Sequence, residues 1–291
     1  MIERVAAIYD IHGNLPALEA VLDEIREAHV DAIVVGGDVV PGPMPREAVA
    51  RLLALDTPVH FLRGNGDREV LARMRGIETG TVPAAFRNVI QWNADQLSAD
   101  YEAVLDCWPP TVRLSVAGAG NVLFCHGTPT SDTQIFTRLT PDERVLGLLE
   151  GVSDPLIVCG HTHMQFDRRV QNRRIVNSGS VGMPFGEPGA YWLLLGPDVQ
   201  LRRTEYDVLD AAARIRSSGY PQANEFADGN ILRPPSEAQM LVVFGRADVR
   251  CRMSVPARVN WYRISLFVVL SAVLAWSLGF AIGVIVILYN S

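Results

Sequence analysis

Five short apolar runs in this chain each end in a residue able to coordinate a metal ion. Asp10 follows RVAAIY, Asp38 follows AIVVGG, Asn65 follows VHFLRG, His126 follows VLFC, and His161 follows LIVCG. His12 lies two residues after Asp10, and His163 two after His161. Four of the six histidines thus belong to one pattern, leaving only His29 and His60 outside it. An Asp-x-His or a Gly-Asp alone occurs in many unrelated chains; the joint arrangement is what carries weight. In open α/β sheets the ligand site lies beyond the carboxyl ends of the strands, so these seven oxygen and nitrogen groups would converge on one edge. Glycines flank them, as tight strand-to-loop turns require.

Ligand type narrows the chemistry. Carboxylate, amide oxygen and imidazole without organised thiolates favour a reactive Mn²⁺, Fe or Zn²⁺ site over a structural zinc. Seven ligands exceed what one small ion needs and suit two ions sharing a carboxylate. Such a pair, about 3.5–4 Å apart, can activate a water and clamp the oxygens of a phosphoryl group undergoing in-line displacement.

Asp10-Ile11-His12-Gly13-Asn14, Gly37-Asp38, Gly64-Asn65-Gly66-Asp67, His126-Gly127 and Gly160-His161-Thr162-His163 resemble, in order and spacing, the motifs of the calcineurin-like metallophosphoesterase superfamily. The resemblance spans about residues 2–206. Asn177-Ser178-Gly179-Ser180-Val181-Gly182 is similar to the Asn-Pro-Gly-Ser-Val segment of its small bacterial and archaeal phosphodiesterase branch, with Ser178 in place of proline. The resemblance implies an αββα fold, a central two-sheet mixed β-sandwich flanked by helices. It implies one metal held by Asp10, His12, Asp38 and His163, and a second held by Asp38, Asn65, His126 and His161, with Mn²⁺ the first expectation for both. Asp38 would bridge them, and Asp38, Asn65 and His126 would carry the catalytic roles. The implied reaction is hydrolysis of a phosphate ester, most readily a diester, by a hydroxide bridging the two ions.

One position departs from the family pattern. Many members place a histidine after the motif asparagine, where it contacts the substrate phosphate and can protonate the leaving group; here that position is Gly66. His29, closing a helix, and His60, within a strand, are no obvious substitutes. Without such an acid, esters with good leaving groups are the expected substrates. Cys125 and Cys159 adjoin ligands but lie on apolar strands, so they read as core thiols.

The elements that must position these residues follow from periodicity. Residues 4–9, 32–35 and 59–62 are apolar strands. Pro16 with Leu18, Val21, Leu22 and Ile25 marks an amphipathic helix over 15–28, and a second helix covers 45–55. Residues 68–106 read mostly helical, with Ser98 as a cap. Hairpin-like pairs follow at 113–117 with 121–124 and at 165–170 with 174–176, around a helix at 141–150 and a strand at 156–159. Strands at 191–195 and 199–206 and a helix at 208–217 complete a metallophosphoesterase domain over 1–235. Residues 236–262 read as a short helix, capped by Ser236 and burying Met240, Val243 and Phe244, followed by a basic linker.

Composition excludes several alternatives. The 291 residues are 48% hydrophobic and 20% charged, a globular balance. Every basic residue is arginine, which removes lysine chemistry such as a Schiff base or a P-loop. The net charge of −6 argues against binding duplex nucleic acid; the expected ligand is a small phosphate ester or nucleotide. Ile264 and Tyr289 bound 26 residues without a charge. As a helix this stretch would measure about 39 Å, enough to cross the ~30 Å hydrocarbon core of a bilayer with some tilt. Trp261, Tyr262 and Tyr289 stand at its edges, and Arg250, Arg252, Arg258 and Arg263 lie on the upstream side. A single-pass anchor at 263–289 with the large domain in the cytoplasm is the expectation. Ser271, Ala275, Gly279 and Gly283 form a small-residue stripe that suits a helix pair, hence a homodimer. The rival reading is a metal-binding scaffold of the same fold, since one eukaryotic member of the resembling branch is a structural subunit of a membrane coat. Seven coordinating groups crowded together without a metal would be costly to bury, which favours the enzyme.

Overall fold

In the computed structural model, residues 2–79 and 82–253 are described, the last eight of them as helix only. Among the described residues, ten strands form two five-stranded sheets. The first contains β1 (Val5–Ile8), β2 (Ala32–Val35), β3 (Val59–Phe61), β9 (Ala190–Leu195) and β10 (Val199–Thr204), in the order β10-β9-β1-β2-β3. The second contains β4 (Thr111–Val116), β5 (Gly120–Cys125), β6 (Leu156–Cys159), β7 (Phe166–Val170) and β8 (Arg173–Asn177), in the order β4-β5-β6-β8-β7. The first sheet is parallel from β1 through β2 to its β3 edge and antiparallel on the other side, β1 with β9 and β9 with β10. The second is parallel at its centre, β5 with β6 and β6 with β8, and antiparallel at both edges.

The two-residue period of the strands builds the layers. Val5, Ala7, Tyr9, Val34, Leu193 and Leu195 meet Val122, Phe124, Leu156, Val158 and Val176 between the sheets. The alternate residues Ala6, Ile8, Ile33, Val35, Trp192 and Leu194 point outward onto helices α1 (Leu15–Glu27) and α2 (Pro45–Leu53). On the opposite outer face Leu123, Cys125, Ile157 and Cys159 pack on α6 (Asp142–Leu148). Strands buried on both faces explain why β1, β2 and β6 are continuous apolar runs rather than alternating ones. The result is the two-sheet mixed sandwich with helices outside.

Helices α3 (Asn65–Met74), α4 (Arg87–Gln96) and α5 (Ala99–Asp106) fill the region read as mostly helical. Ser98 occupies the N-cap of α5, but its side chain makes no capping hydrogen bond. Helix α7 (Val208–Arg216) is capped by Asp207, whose carboxylate accepts from the backbone N–H groups of Leu209 and Asp210. Sequence periodicity indicates no element between α7 and Ser236. The structure places there a short helix, α8 (Ala223–Phe226), continued by a stretch of π-helix, Ala227–Leu232. Helix α9 (Glu237–Met253) runs 17 residues, well past the short helix expected, so helix replaces linker as far as Met253. Its start is a capping box. Ser236 Oγ accepts from Gln239 N, and Gln239 Oε1 accepts from Ser236 N. Met240 and Phe244 are buried against Met164 and Phe185, with Val243 partly buried beside them.

Among the described residues no helix is long and apolar enough to cross a membrane. The expected anchor at 263–289 and its stripe of Ser271, Ala275, Gly279 and Gly283 lie outside the described residues.

Candidate metal centre

The loops leaving β1, β2, β5 and β6, together with the start of α3, meet at one edge of the sandwich. Asp10, His12, Asp38, Asn65, His126, His161 and His163 all come together there, each at most 9% exposed. Five of them lie in the left-handed region: Asp10 at φ 52°, His12 at 48°, Asp38 at 53°, His161 at 65° and His163 at 56°. Only two other non-glycine residues among those described, His29 and Gln171, do so. Such a backbone costs about 1–3 kcal/mol per residue and persists only where the surroundings over-determine it.

Those surroundings are visible. Asp10 N, His12 N and Gly13 N donate to the carbonyls of Gly37, Asp38 and Val39, lacing the first loop to the second. The Asp10 carbonyl accepts from Gly182 N and from Ser180 Oγ at 2.8 Å, and the Asp10 Oδ2 atom accepts from His161 N at 2.9 Å. Asn177 Nδ2 donates to the Gly160 carbonyl and to Thr162 Oγ1. The segment singled out beside the strands at 177–182 is thus the clamp on the first and fifth ligand loops. Ser178, standing where the resembling branch has proline, donates its hydroxyl to the Ala7 carbonyl at 2.8 Å.

Asp67, read from sequence only as a motif residue, is fully buried and holds the second loop. Its carboxylate accepts from the N–H groups of Asp38 (2.7 Å), Val39 (2.8 Å), Val40 (3.2 Å) and Gly64 (3.0 Å). Burial and the neighbouring Asp38 carboxylate push its carboxyl up to about 7. Gly66 N donates to Asp38 Oδ1 at 2.7 Å. A Cβ at Gly66 would stand 2.4 Å from Pro41 Cγ and 3.0 Å from Asp38 Oδ1, so Pro41 and Asp38 take up the space a side chain would need.

Each imidazole is tied at one nitrogen to a backbone carbonyl and turns the other inward. The Nδ1 atoms of His12, His126 and His163 lie 3.1, 2.9 and 2.7 Å from the carbonyls of Pro41, Gly36 and Met183. His161 is reversed, with Nε2 3.3 Å from the Thr133 carbonyl. A proton on the tied nitrogen leaves the inward nitrogen a lone pair, which is how metal-binding histidines are oriented. Asp10 Oδ1 lies 3.3 Å from His163 Nε2 and 3.8 Å from His126 Nε2. Asp38 Oδ2 lies 3.8 Å from His12 Nε2 and 3.6 Å from His126 Nε2, so it sits between the two expected ligand sets. The outward amide atom of Asn65 faces His126 Nε2 at 3.1 Å and His161 Nδ1 at 3.0 Å.

This crowding fits metal ions and little else. His12 Nε2 and His163 Nε2 face each other at 3.3 Å. Asp10 Oδ1 is buried with no hydrogen-bond partner, a costly state for a carboxylate oxygen. Asp10, His12 and His163 form one group whose ligand atoms lie within 4.8 Å of one another; Asp10, Asp38 and His126 form another. Asp10 belongs to both groups, a sharing that sequence reasoning assigned to Asp38 alone. His161 and Asn65 join through the second group's edge. Burial opposes charging His161 and, with the nearby His126 charge, brings its imidazole down to about 4. Burial and His163 lower His12 as well. His126 goes the other way: against its burial, Asp38 and Asp10 raise it to about 9. Asp10, despite complete burial, is held well below the usual carboxylate range by His163 and His126.

The remaining sequence candidates stay apart from the centre. His29 is exposed at the end of α1 and His60 is half-buried on β3. Cys125 and Cys159 are buried on the outer sheet face, and burial pushes the Cys125 thiol up to about 12.

Comparison with known proteins identifies the family. A curated relative, "Uncharacterized protein MJ0912" of Methanocaldococcus jannaschii, is 27% identical over 240 residues, covering 75% of this chain and 94% of its own length. A crystal structure of a metallophosphoesterase from Sphaerobacter thermophilus is 28% identical with a TM-score of 0.62, covering 78% of this chain and 98% of its own. The hypothetical protein PH1004 from Pyrococcus horikoshii shares the fold at 21% identity and a TM-score of 0.67, covering 77% and 97%. The model of the calcineurin-like phosphoesterase superfamily domain matches residues 4–196, and this chain belongs to that superfamily, as a metal-dependent hydrolase of phosphate esters.

Proposed function

We propose that this protein is a phosphodiesterase using two divalent ions, Mn²⁺ foremost. Asp10, His12, Asp38 and His163 would hold one ion, and Asp38, Asn65, His126 and His161 the other. The carrying observation is the set of four imidazoles, each fixed at one nitrogen by a backbone carbonyl and facing Asp10 or Asn65 with the other. When bound, the two ions supply Lewis acidity at the phosphoryl oxygens and activate the attacking water.

The chain's own groups do the rest. Asp38 and Asp10 place negative charge at the centre, so a phosphate anion enters only once that charge is inverted. Asp67 fixes the loop that carries Asp38. Gly66 offers no proton to the departing alcohol, which favours substrates whose alcohol leaves unaided. Rates along a series of aryl diesters should therefore rise steeply as the leaving-group pKa falls; a flat series overturns this part. Purified full chain should bind two Mn²⁺ and hydrolyse bis(p-nitrophenyl) phosphate faster than p-nitrophenyl phosphate. Binding of fewer than two ions, or wild type no faster than Asp38→Asn, overturns the reading.

Residues 264–289 extend this to a membrane-tethered enzyme with its catalytic domain on the cytoplasmic side. The absence of charge over that stretch and the arginines upstream of it support this. Fractionation of cells expressing the full chain and a version ending at Ala247 tests the tether; equal membrane recovery of both overturns it.

A further inference from the structure

The metal centre opens into a cleft. One wall is His12, Asp38, Asn65, His161 and His163. The other is built by α4 and its approach, through Phe86, Val89 and Ile90, and by the segment after α7, through Tyr220, Phe226 and Asn230. The rings of Tyr220 and Phe226 meet edge to face at 5.9 Å and 85°.

Asn230 stands out on this wall. It lies on the π-helical stretch, it is 3% exposed, and its amide finds no hydrogen-bond partner among the described residues. The amide atoms open onto the cleft rather than being sealed in the interior, so they can exchange water for the hydrogen bonds of a ligand. Extra-wide helical turns of this kind occur often at functional sites.

The charges restrict the ligand further. No arginine among the described residues lines the cleft, and the chain contains no lysine. Of the acids beyond the centre, Glu69 is paired with Arg68 at 2.8 Å, while Glu225 is exposed. A second phosphate group would find no cation there and would face Glu225. A polyol would need several polar partners, and the wall is mostly apolar. A flat ring with polar edge atoms fits both the aromatic wall and the Asn230 amide.

Resting on the phosphoesterase reading above, we infer that this wall is a specificity pocket for an uncharged heteroaromatic group of the nucleobase kind. The group is carried on a single phosphate, its face against Phe226 and Tyr220 and its edge hydrogen-bonded to Asn230.

The test is affinity rather than turnover. Calorimetry on the Mn²⁺-loaded full chain compares three hydrolysis-resistant phosphonates: that of adenosine, that of ribose, and methylphosphonate. The adenosine compound should bind about tenfold tighter than the ribose compound, toward the low end of what stacking one base contributes. Asn230→Leu should remove about fivefold of that preference and leave methylphosphonate unchanged. Asn230→Asp, which keeps the shape, should weaken the adenosine compound in the same selective way; thermal unfolding of each variant reports its folding. Equal affinity for the adenosine and ribose compounds overturns the inference, as does uniform weakening of all three by Asn230→Leu. If methylphosphonate itself does not bind, the phosphoesterase reading falls and takes this inference with it; if it binds without the preference, only the inference falls.

Discussion

The two walls of the cleft are built in opposite ways. On the metal-facing wall, four of the five side chains, those of His12, Asp38, His161 and His163, hang from left-handed backbone, and each imidazole is tied to a carbonyl of another loop. On the far wall, Phe86, Val89, Ile90, Tyr220 and Phe226 are ordinary core-like side chains, of which Val89, Tyr220 and Phe226 pack with α7 in one cluster. A wall laced by backbone hydrogen bonds moves as a unit, so a single change there propagates. A wall of packed side chains can change one residue at a time. The first kind suits a reaction that must keep its geometry; the second suits recognition of whatever the phosphate carries.

The contrast is broken most directly at Asp38. Asp38→Asn keeps an oxygen for Gly66 N but removes the charge between the two ligand sets. It should lower kcat/KM by about 10³-fold or more, an effect of about 4 kcal/mol. A loss of less than tenfold would show that the laced wall does not set the reaction. Asp67→Ala comes next. It strips an acceptor from four buried N–H groups and should cost about 3 kcal/mol of stability in denaturant titration, with activity falling alongside. Asn230→Leu on the opposite wall should change stability far less.

Removing metal ranks third. One ion at a hundredfold excess over its Kd contributes about 2.7 kcal/mol to the folded state. Chelation should therefore lower Tm by several degrees in wild type and by clearly less in Asp10→Asn. Equal shifts in both would break the assignment of Asp10 Oδ1, the buried oxygen with no partner, to an ion. Gly66 sharpens the comparison from the backbone side. Gly66→His should not restore a leaving-group acid, because its Cβ would collide with Pro41 and press on Asp38. A loss of about 1–2 kcal/mol in stability and of activity is expected.

The same contrast explains how much the sequence disclosed. Asp10, His12, Asp38, Asn65, His126, His161 and His163 were legible because their types name their chemistry and each ends an apolar run or lies two residues beyond one that does. The layers were legible because β1, β2 and β6 are apolar on both faces. The left-handed backbone was not, since aspartate and histidine carry no mark of φ. Asp67 could be placed in a motif, but its four N–H partners come from two separated loops that only the fold brings together. The far wall was the least legible. Val89, Tyr220 and Phe226 carried no signal of their own, because an apolar residue facing a cleft and one facing a core leave the same pattern. Residues 223–232 gave no helical period because part of the stretch is π-helix and Gly229 interrupts it. The reach of α9 to Met253 was underestimated because the arginines after Gly245 suggested a linker, although arginine favours helix.

Val89→Ala is the smallest of these changes and the most discriminating between the walls. Val89 is buried in the cluster with Tyr220 and Phe226 and also lines the cleft, so shortening it removes two methyl groups from a surface shared by core and ligand. The stability cost should be about 1 kcal/mol. If the far wall reads the organic group, the same change should raise KM for an aromatic diester about two- to fivefold with kcat nearly unchanged, because the lost contact is made equally in the ground and transition states. For methyl p-nitrophenyl phosphate, placed with its methyl group toward this wall, KM should stay within about a factor of two, little apolar surface being left to lose. A fall in kcat for both esters would mean that Val89 supports the metal-facing wall through packing, and the division between a rigid reacting wall and an adjustable reading wall would not hold.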